Sequence, residues 1–347
     1  MFKRMAVLLA CVFAQALVAH EAAAFTFCVG DAGGLRDALV AASTGGAHDG
    51  EDNIVDLVAG TYSAATIGAG FDYEQASAQS LQLQGGFAPG CATRSADPSA
   101  TVIDGANTYR PLRLFNLYGP VNVDGMMIQH GLSTEYGGGL AINYCGLCIP
   151  QPANSIALTH LIMRDNTSTH RCGGFFAIAG GSMLVANSLF IRNAAGDPLG
   201  GAACLYGVDE IILFHGNTVA DNTSVSGTDA TGGVYFENAV EIEDSIFWSN
   251  SGFGLLLGSQ NSVMLRNDYG GRTGEDPILE VGDVSVNPLF YDPVDGDYRL
   301  ASDSPLLGFS DVLLTGSDLY GHSFPVGGFQ DIGAYEDTVF VDSFNPP

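Results

Sequence analysis

The chain has 347 residues, 46 of them Gly and 14 Pro, with acids outnumbering bases 38 to 12 and a formal charge of −26. Its 46% hydrophobic content and mean hydropathy of +0.20 exclude a disordered chain, because that much apolar surface suffices for a large core. Lys3 is the only lysine and the arginines are scattered, which excludes a nucleic-acid partner.

At the start, Lys3 and Arg4 precede an apolar run over Met5–Ala19, and Ala22-Ala23-Ala24 supplies small residues for cleavage before Phe25. This reads as a signal peptide over residues 1–24; the run is too short for a spanning helix, and no later stretch is long enough to be one. Leu8-Leu9-Ala10-Cys11 has the shape of a lipidation site, but too few apolar residues precede the cysteine to favour it. Removal of 1–24 leaves 10 arginines against 37 acids, a charge of −27. The expected location is outside the cytoplasm: secreted or at a bacterial cell surface, with the periplasm as the alternative. In that oxidising setting Cys28, Cys91, Cys145, Cys148, Cys172 and Cys204 read as disulfide partners. The Cys145-Gly-Leu-Cys148 spacing lacks the second ligand pair that a zinc site needs.

Next, Leu35, Ala38, Leu39 and Ala42 share one face of a predicted helix over 35–42, with Asp31 ahead of it as a cap. Residues 53–62 read as a strand ending in a turn. Cys28 beside the helix and Cys91 after Gly85-Gly86-Phe87 are expected to join this cap to the first coils.

Beyond Phe87 the chain repeats itself. Asp124–His130, His160–Asn166, Asn187–Asn193 and Asp244–Asn250 superimpose without gaps, and Asn217–Asn222 fits with one deletion. Gly-Gly pairs recur at 138–139, 173–174, 200–201 and 232–233. Each unit is too short for a propeller blade and cannot bury its apolar face alone, so the units must stack as coils. The predicted fold is all-β: a single-stranded right-handed parallel β-helix over 25–336 with a short N-terminal cap helix, followed by a tail over 337–347. Cys145, Cys148, Cys172 and Cys204 then fall in three successive coils, and Cys145–Cys148 with Cys172–Cys204 is the favoured of three pairings.

The alignment yields two polar columns. His130, Asn166, Asn193, Asn222 and Asn250 form one; Asn166, Asn193, Asn222 and Asn250 are expected to hydrogen-bond from rung to rung as a structural ladder. Asp124, His160, Asn187, Asn217 and Asp244 form the other. There Asp124 and His160 are the weak catalytic candidates, because only at this place do an acid and a histidine adjoin. Asp292, Asp295 and Asp297 share one loop and are weak calcium candidates, although Asp-Pro and Asp-Gly are ordinary turn chemistry. The reading assigns no cofactor and keeps calcium as the weaker alternative.

The cap helix and first strand resemble those of pectate-lyase-like β-helix proteins. Gly85-Gly86-Phe87, Cys91, Arg94 and the run 97–105 resemble the first coils of secreted bacterial members. The run 287–300, Ser304-Pro305 and Asp331–Glu336 resemble the closing signature of the choice-of-anchor Q domain. That resemblance implies a secreted or surface β-helix, usually without an established activity; the sorting anchor common in the family has no counterpart here beyond a short Phe-containing tail. Lyases of this kind use a Lys or Arg base; residues after 24 include no lysine and ten scattered arginines, and the hydrolase and esterase motifs of β-helix enzymes are not found. The expected role is non-enzymatic, adhesin-like or glycan-contacting, with glycans or a cell-surface partner as the contact. The alternative is a carbohydrate-active enzyme, either a polysaccharide lyase or a glycoside hydrolase.

Overall fold

The structure is a computed structural model that describes residues 24–143, 154–208, 211–227, 229–311, 316–325 and 329–336. Residues 1–23 of the signal-peptide reading over 1–24, Cys145, Cys148 and the tail from 337 lie outside the described residues. Among the described residues, no helix is long and apolar enough to cross a membrane.

The helix spans Ala32–Ala42, three residues earlier than its apolar spacing predicts. Asp31 caps it by accepting from the Gly34 N–H at 2.8 Å, and this bond lets the turn begin before the first leucine. Leu35, Ala38, Leu39 and Ala42 are buried and close one end of the core. The single strand expected over 53–62 is two strands, Asn53–Val58 and Gly60–Ser63, which pair with different partners downstream.

From there the chain is a parallel β-helix. The longest sheet stacks Asn53–Val58, Leu81–Phe87, Val121–Gln129, Ile156–Arg164, Met183–Ala186, Ile212–His215, Val240–Glu243 and Val263–Leu265, every neighbour parallel. A second sheet of eight strands stacks Leu140–Ile142, Phe175–Ala179, Ala203–Gly207 and Thr231–Phe236 among others. Two-residue strands such as Thr167–Ser168 and Ala194–Ala195 form a third. Because side chains alternate in a strand, Phe175 and Ala177 enter the core while Phe176 and Ile178 face out. Inside, Phe175, Phe190, Phe214 and Phe247 stack with centroids 5.4, 6.2 and 5.7 Å apart.

The Asn ladder occupies one corner. Asn166 Nδ2 donates to Asn193 Oδ1 at 3.0 Å, Asn193 Nδ2 to Asn222 Oδ1 at 3.0 Å, and Asn222 Nδ2 to Asn250 Oδ1 at 2.9 Å. The residue before each rung is in the left-handed region: Asp165 at φ 54°, Arg192 at 52°, Asp221 at 55° and Ser249 at 57°. The ladder amide therefore satisfies the backbone that this sharp turn leaves unpaired. His130 is not a rung. Pairing of Gln129 with Arg164 sets Gly131, not His130, beside Asn166, and Gly131 N–H donates to Asn166 Oδ1 at 2.8 Å. His130 instead faces Asp104, Nδ1 to Oδ2 3.0 Å.

The other column is also shifted. Asp124 pairs with Thr159 rather than His160, and the register of Leu189 with Thr218 sets Asn217 beside Ser188 rather than Asn187. What exists instead is a second ladder, in which Ser188, Asn217, Ser245 and Asn267 each hand a backbone N–H to the next side-chain oxygen at 3.0–3.1 Å, or at 2.6 Å for the last onto Asp283. The alignment missed it because it set Asn217 level with Asn187 and Asp244, one residue short of its register partners Ser188 and Ser245.

A closing segment folds back over the outer face of the first sheet. Tyr298, Leu319, Ala334 and Tyr335 bury against Met127, Ile162, Leu189, Ile191 and Ala220, forming an apolar cluster outside the helix core. Gly333 N–H donates to Asp244 O at 2.8 Å, and Ala334 N–H to Thr218 Oγ1 at 3.0 Å. Two disulfides join described cysteines: Cys28–Cys91, which ties the first strand to the loop after Phe87, and Cys172–Cys204, which links consecutive coils.

Candidate functional site

Asp124 and His160 meet where the first sheet, the Cys91 loop and the closing segment converge. Asp124 lies near the middle of Val121–Gln129 and points outward; His160, one coil on, sits at a left-handed corner with φ 50°. The shift of one residue makes them diagonal neighbours, and His160 Nδ1 lies 2.7 Å from Asp124 Oδ1. Thr159 Oγ1 donates to the same oxygen at 2.6 Å. Arg94, from the Cys91 loop, ion-pairs with Asp124 Oδ2 and donates through Nε to Gly85 O at 2.7 Å. Gly125 makes room for it: a Cβ there would stand 2.3 Å from Arg94 Nη2, and its φ of +68° suits glycine.

The far side of the imidazole faces the closing segment. His160 Nε2 lies 3.3 Å from the Ser317 carbonyl oxygen. Nδ1 faces the carboxylate, and Nε2 faces both the Ser317 carbonyl and, at 3.5 Å, the Ser317 hydroxyl, so a doubly protonated ring donates to both sides while a neutral ring can accept from the hydroxyl. Burial works against the charged ring, but the Asp124 carboxylate and the Ser317 carbonyl outweigh it and raise the His160 pKa above its ordinary value. Burial likewise acts to raise Asp124, yet hydrogen bonds from His160 and Thr159 and the Arg94 charge hold its carboxyl down at about 2. Arg94, Ser95, Ala96, Asp124, Gly125, His160, Ser317 and Gly321 line a cavity of about 210 Å³. The arrangement is a charged clasp. Both ring nitrogens are engaged within the chain, Nδ1 by Asp124 and Nε2 by Ser317.

The calcium candidates do not converge. Asp292 and Asp297 lie on the two strands of an antiparallel hairpin, and Asp295 lies in its turn. Asp297 takes Arg299 Nε on Oδ1 at 2.9 Å, and its carboxyl is held below the usual range mainly by that arginine. Asp292 Oδ1 accepts the Asp295 N–H at 3.3 Å, as a turn-forming aspartate does. Among the described residues, three ligand-type side chains bring their ligand atoms within 4.8 Å of one another only at His215, Glu241 and Glu243. That group was not singled out in the sequence. The alternation in Val240-Glu-Ile-Glu243 would have put both glutamates on one face, but bringing them to His215 requires the register between coils.

Arg94, Thr159 and Ser317 were missed as partners for the same reason, since they come from three separate parts of the chain.

No family model and no curated protein matches the chain. Among solved structures it is similar to one described as the crystal structure of pectate lyase Pel9A, with a TM-score of 0.30 and 13% identity over 82% of this chain and 88% of that one.

Proposed function

We propose that this is an exported, non-catalytic β-helix of the choice-of-anchor Q kind, whose outer faces contact neutral glycans. The observation that carries the reading is the saturation of Asp124 and His160: both carboxylate oxygens and both ring nitrogens are engaged within the chain. Asp124 and Glu243 are also four rungs apart, about 19 Å, too far for two carboxylates to act on one glycosidic bond. The two disulfides fit an oxidising compartment.

The contact surface in this reading is the outer face of the second sheet. There the half-buried Tyr136, Tyr206 and Tyr235 run across the coils around the buried Phe176, with successive centroids 5.6, 5.3 and 5.9 Å apart. Aromatic faces of this kind stack on apolar sugar faces without needing charge. The test is a polysaccharide panel scored for both binding and cleavage. Binding of a neutral glycan without product, weakened by Tyr206→Ala, is the expected result. Cleavage abolished by His160→Ala at unchanged melting temperature would overturn the reading in favour of a carbohydrate-active enzyme.

A further inference from the structure

His215 ends the strand Ile212–His215, and its register partner on the next coil is Glu243, the last residue of Val240–Glu243. Glu241 lies two residues earlier on the same strand, so strand alternation places it on the same outward face. His215 Nε2 is a buried atom without a hydrogen bond, although it stands 3.5 Å from Glu241 Oε1 and 3.9 Å from Glu243 Oε2. Those separations are long for hydrogen bonds. They suit a shared ion: two ligands at about 2.1 Å from a tetrahedral zinc ion stand about 3.4 Å apart.

The neighbouring charges leave the cluster anionic. Arg266 ion-pairs with Glu243 Oε1 and, at 2.9 Å, with Asp244 Oδ1. Its one positive charge is shared between Glu243 and Asp244, so with Glu241 the three carboxylates outnumber the one cation. Arg266 also fixes the Glu243 carboxylate with Oε2 turned toward His215, which is the role of a partner behind a metal ligand.

We propose that His215, Glu241 and Glu243 form a binding site for a divalent ion of the zinc class, with one imidazole nitrogen and two carboxylate oxygens as ligands and a fourth position left to water. The imidazole selects against calcium and magnesium, which take oxygen ligands in larger number.

The test is titration of the oxidised full chain with Zn²⁺ after dialysis against a chelator, followed by calorimetry, metal analysis and the melting temperature. One equivalent should bind and raise the melting temperature, and equal Ca²⁺ should do neither. His215→Ala and Glu241→Gln should each lose the bound equivalent and the thermal shift. Glu241 is about one-third exposed, so its variant tests the site without disturbing the core. Both variants keep every cysteine, so zinc held by thiols would persist in them. Absence of binding, undiminished binding in both variants, or a preference for Ca²⁺ would overturn the assignment.

Discussion

Asn193 shows what a ladder residue does. It is fully buried; its Nδ2 donates to Met163 O at 2.9 Å and to Asn222 Oδ1, and its Oδ1 accepts the Asn166 N–H at 3.1 Å. Replacing it by Ala leaves the Asn166 N–H and the Met163 carbonyl without partners in a buried corner, so Asn193→Ala should cost about 1–3 kcal/mol in urea denaturation. The Asp124–His160 clasp makes a pH-dependent contribution of a different sign at each end. The folded pKa of His160 is raised, so its contribution is fully present below about 6.5, the value in the unfolded chain, and is lost as pH rises through the folded value. Asp124 is lowered to about 2, so its contribution is present above about 3.8 and is lost as pH falls toward 2. The difference in melting temperature between the native chain and His160→Gln should therefore shrink on going from pH 6 to pH 9. A constant difference would contradict the clasp.

At the scale of elements, corners rather than strands fix the coils. The Gly-Gly pairs lie where one coil's backbone touches the next: a Cβ on Gly201 would meet Gly232 O at 2.2 Å, and one on Gly174 would lie 2.9 Å from the Asn193 side chain. Gly174→Ala should destabilise by about 1–3 kcal/mol through overpacking in thermal unfolding, and it should not add fully to Asn193→Ala, since the two groups touch. Removing the bridge between Cys28 and Cys91, which are 63 residues apart, should cost roughly 3–5 kcal/mol on the chain-entropy account, measured with both cysteines changed to Ser. The repeats and Gly pairs made the coils legible in the sequence, because a local pattern dictates each. Two things were not local. The register of Val121–Gln129 against Ile156–Arg164 sets Gly131, which has no side chain, at the rung position, so the aligned columns miss Asp124 and His130 by one residue. The second ladder mixes Ser, Asn and Asp at Ser188, Asn217, Ser245, Asn267 and Asp283, so no single residue type announces it.

For the whole molecule, the closing segment decides what the first sheet can do. Met127, Ile162, Leu189, Ile191 and Ala220 are apolar yet lie outside the helix core, where residues of that segment cover them. The same segment brings Ser317 to His160 across 157 residues, and so turns a candidate acid–histidine pair into a clasp that holds the end of the chain to its middle. The charge of −27 after residue 24, without a lysine, should also keep pectate or alginate from binding tightly; micromolar affinity for either in the presence of a chelator would contradict this. The central claim, that His160 is a charged structural residue rather than a base, is read most directly from its ring nitrogens. In a ¹⁵N-resolved imidazole NMR spectrum at pH 6.5, both nitrogens should show mainly the protonated signature. A neutral ring with an unprotonated nitrogen facing the cavity would contradict the account.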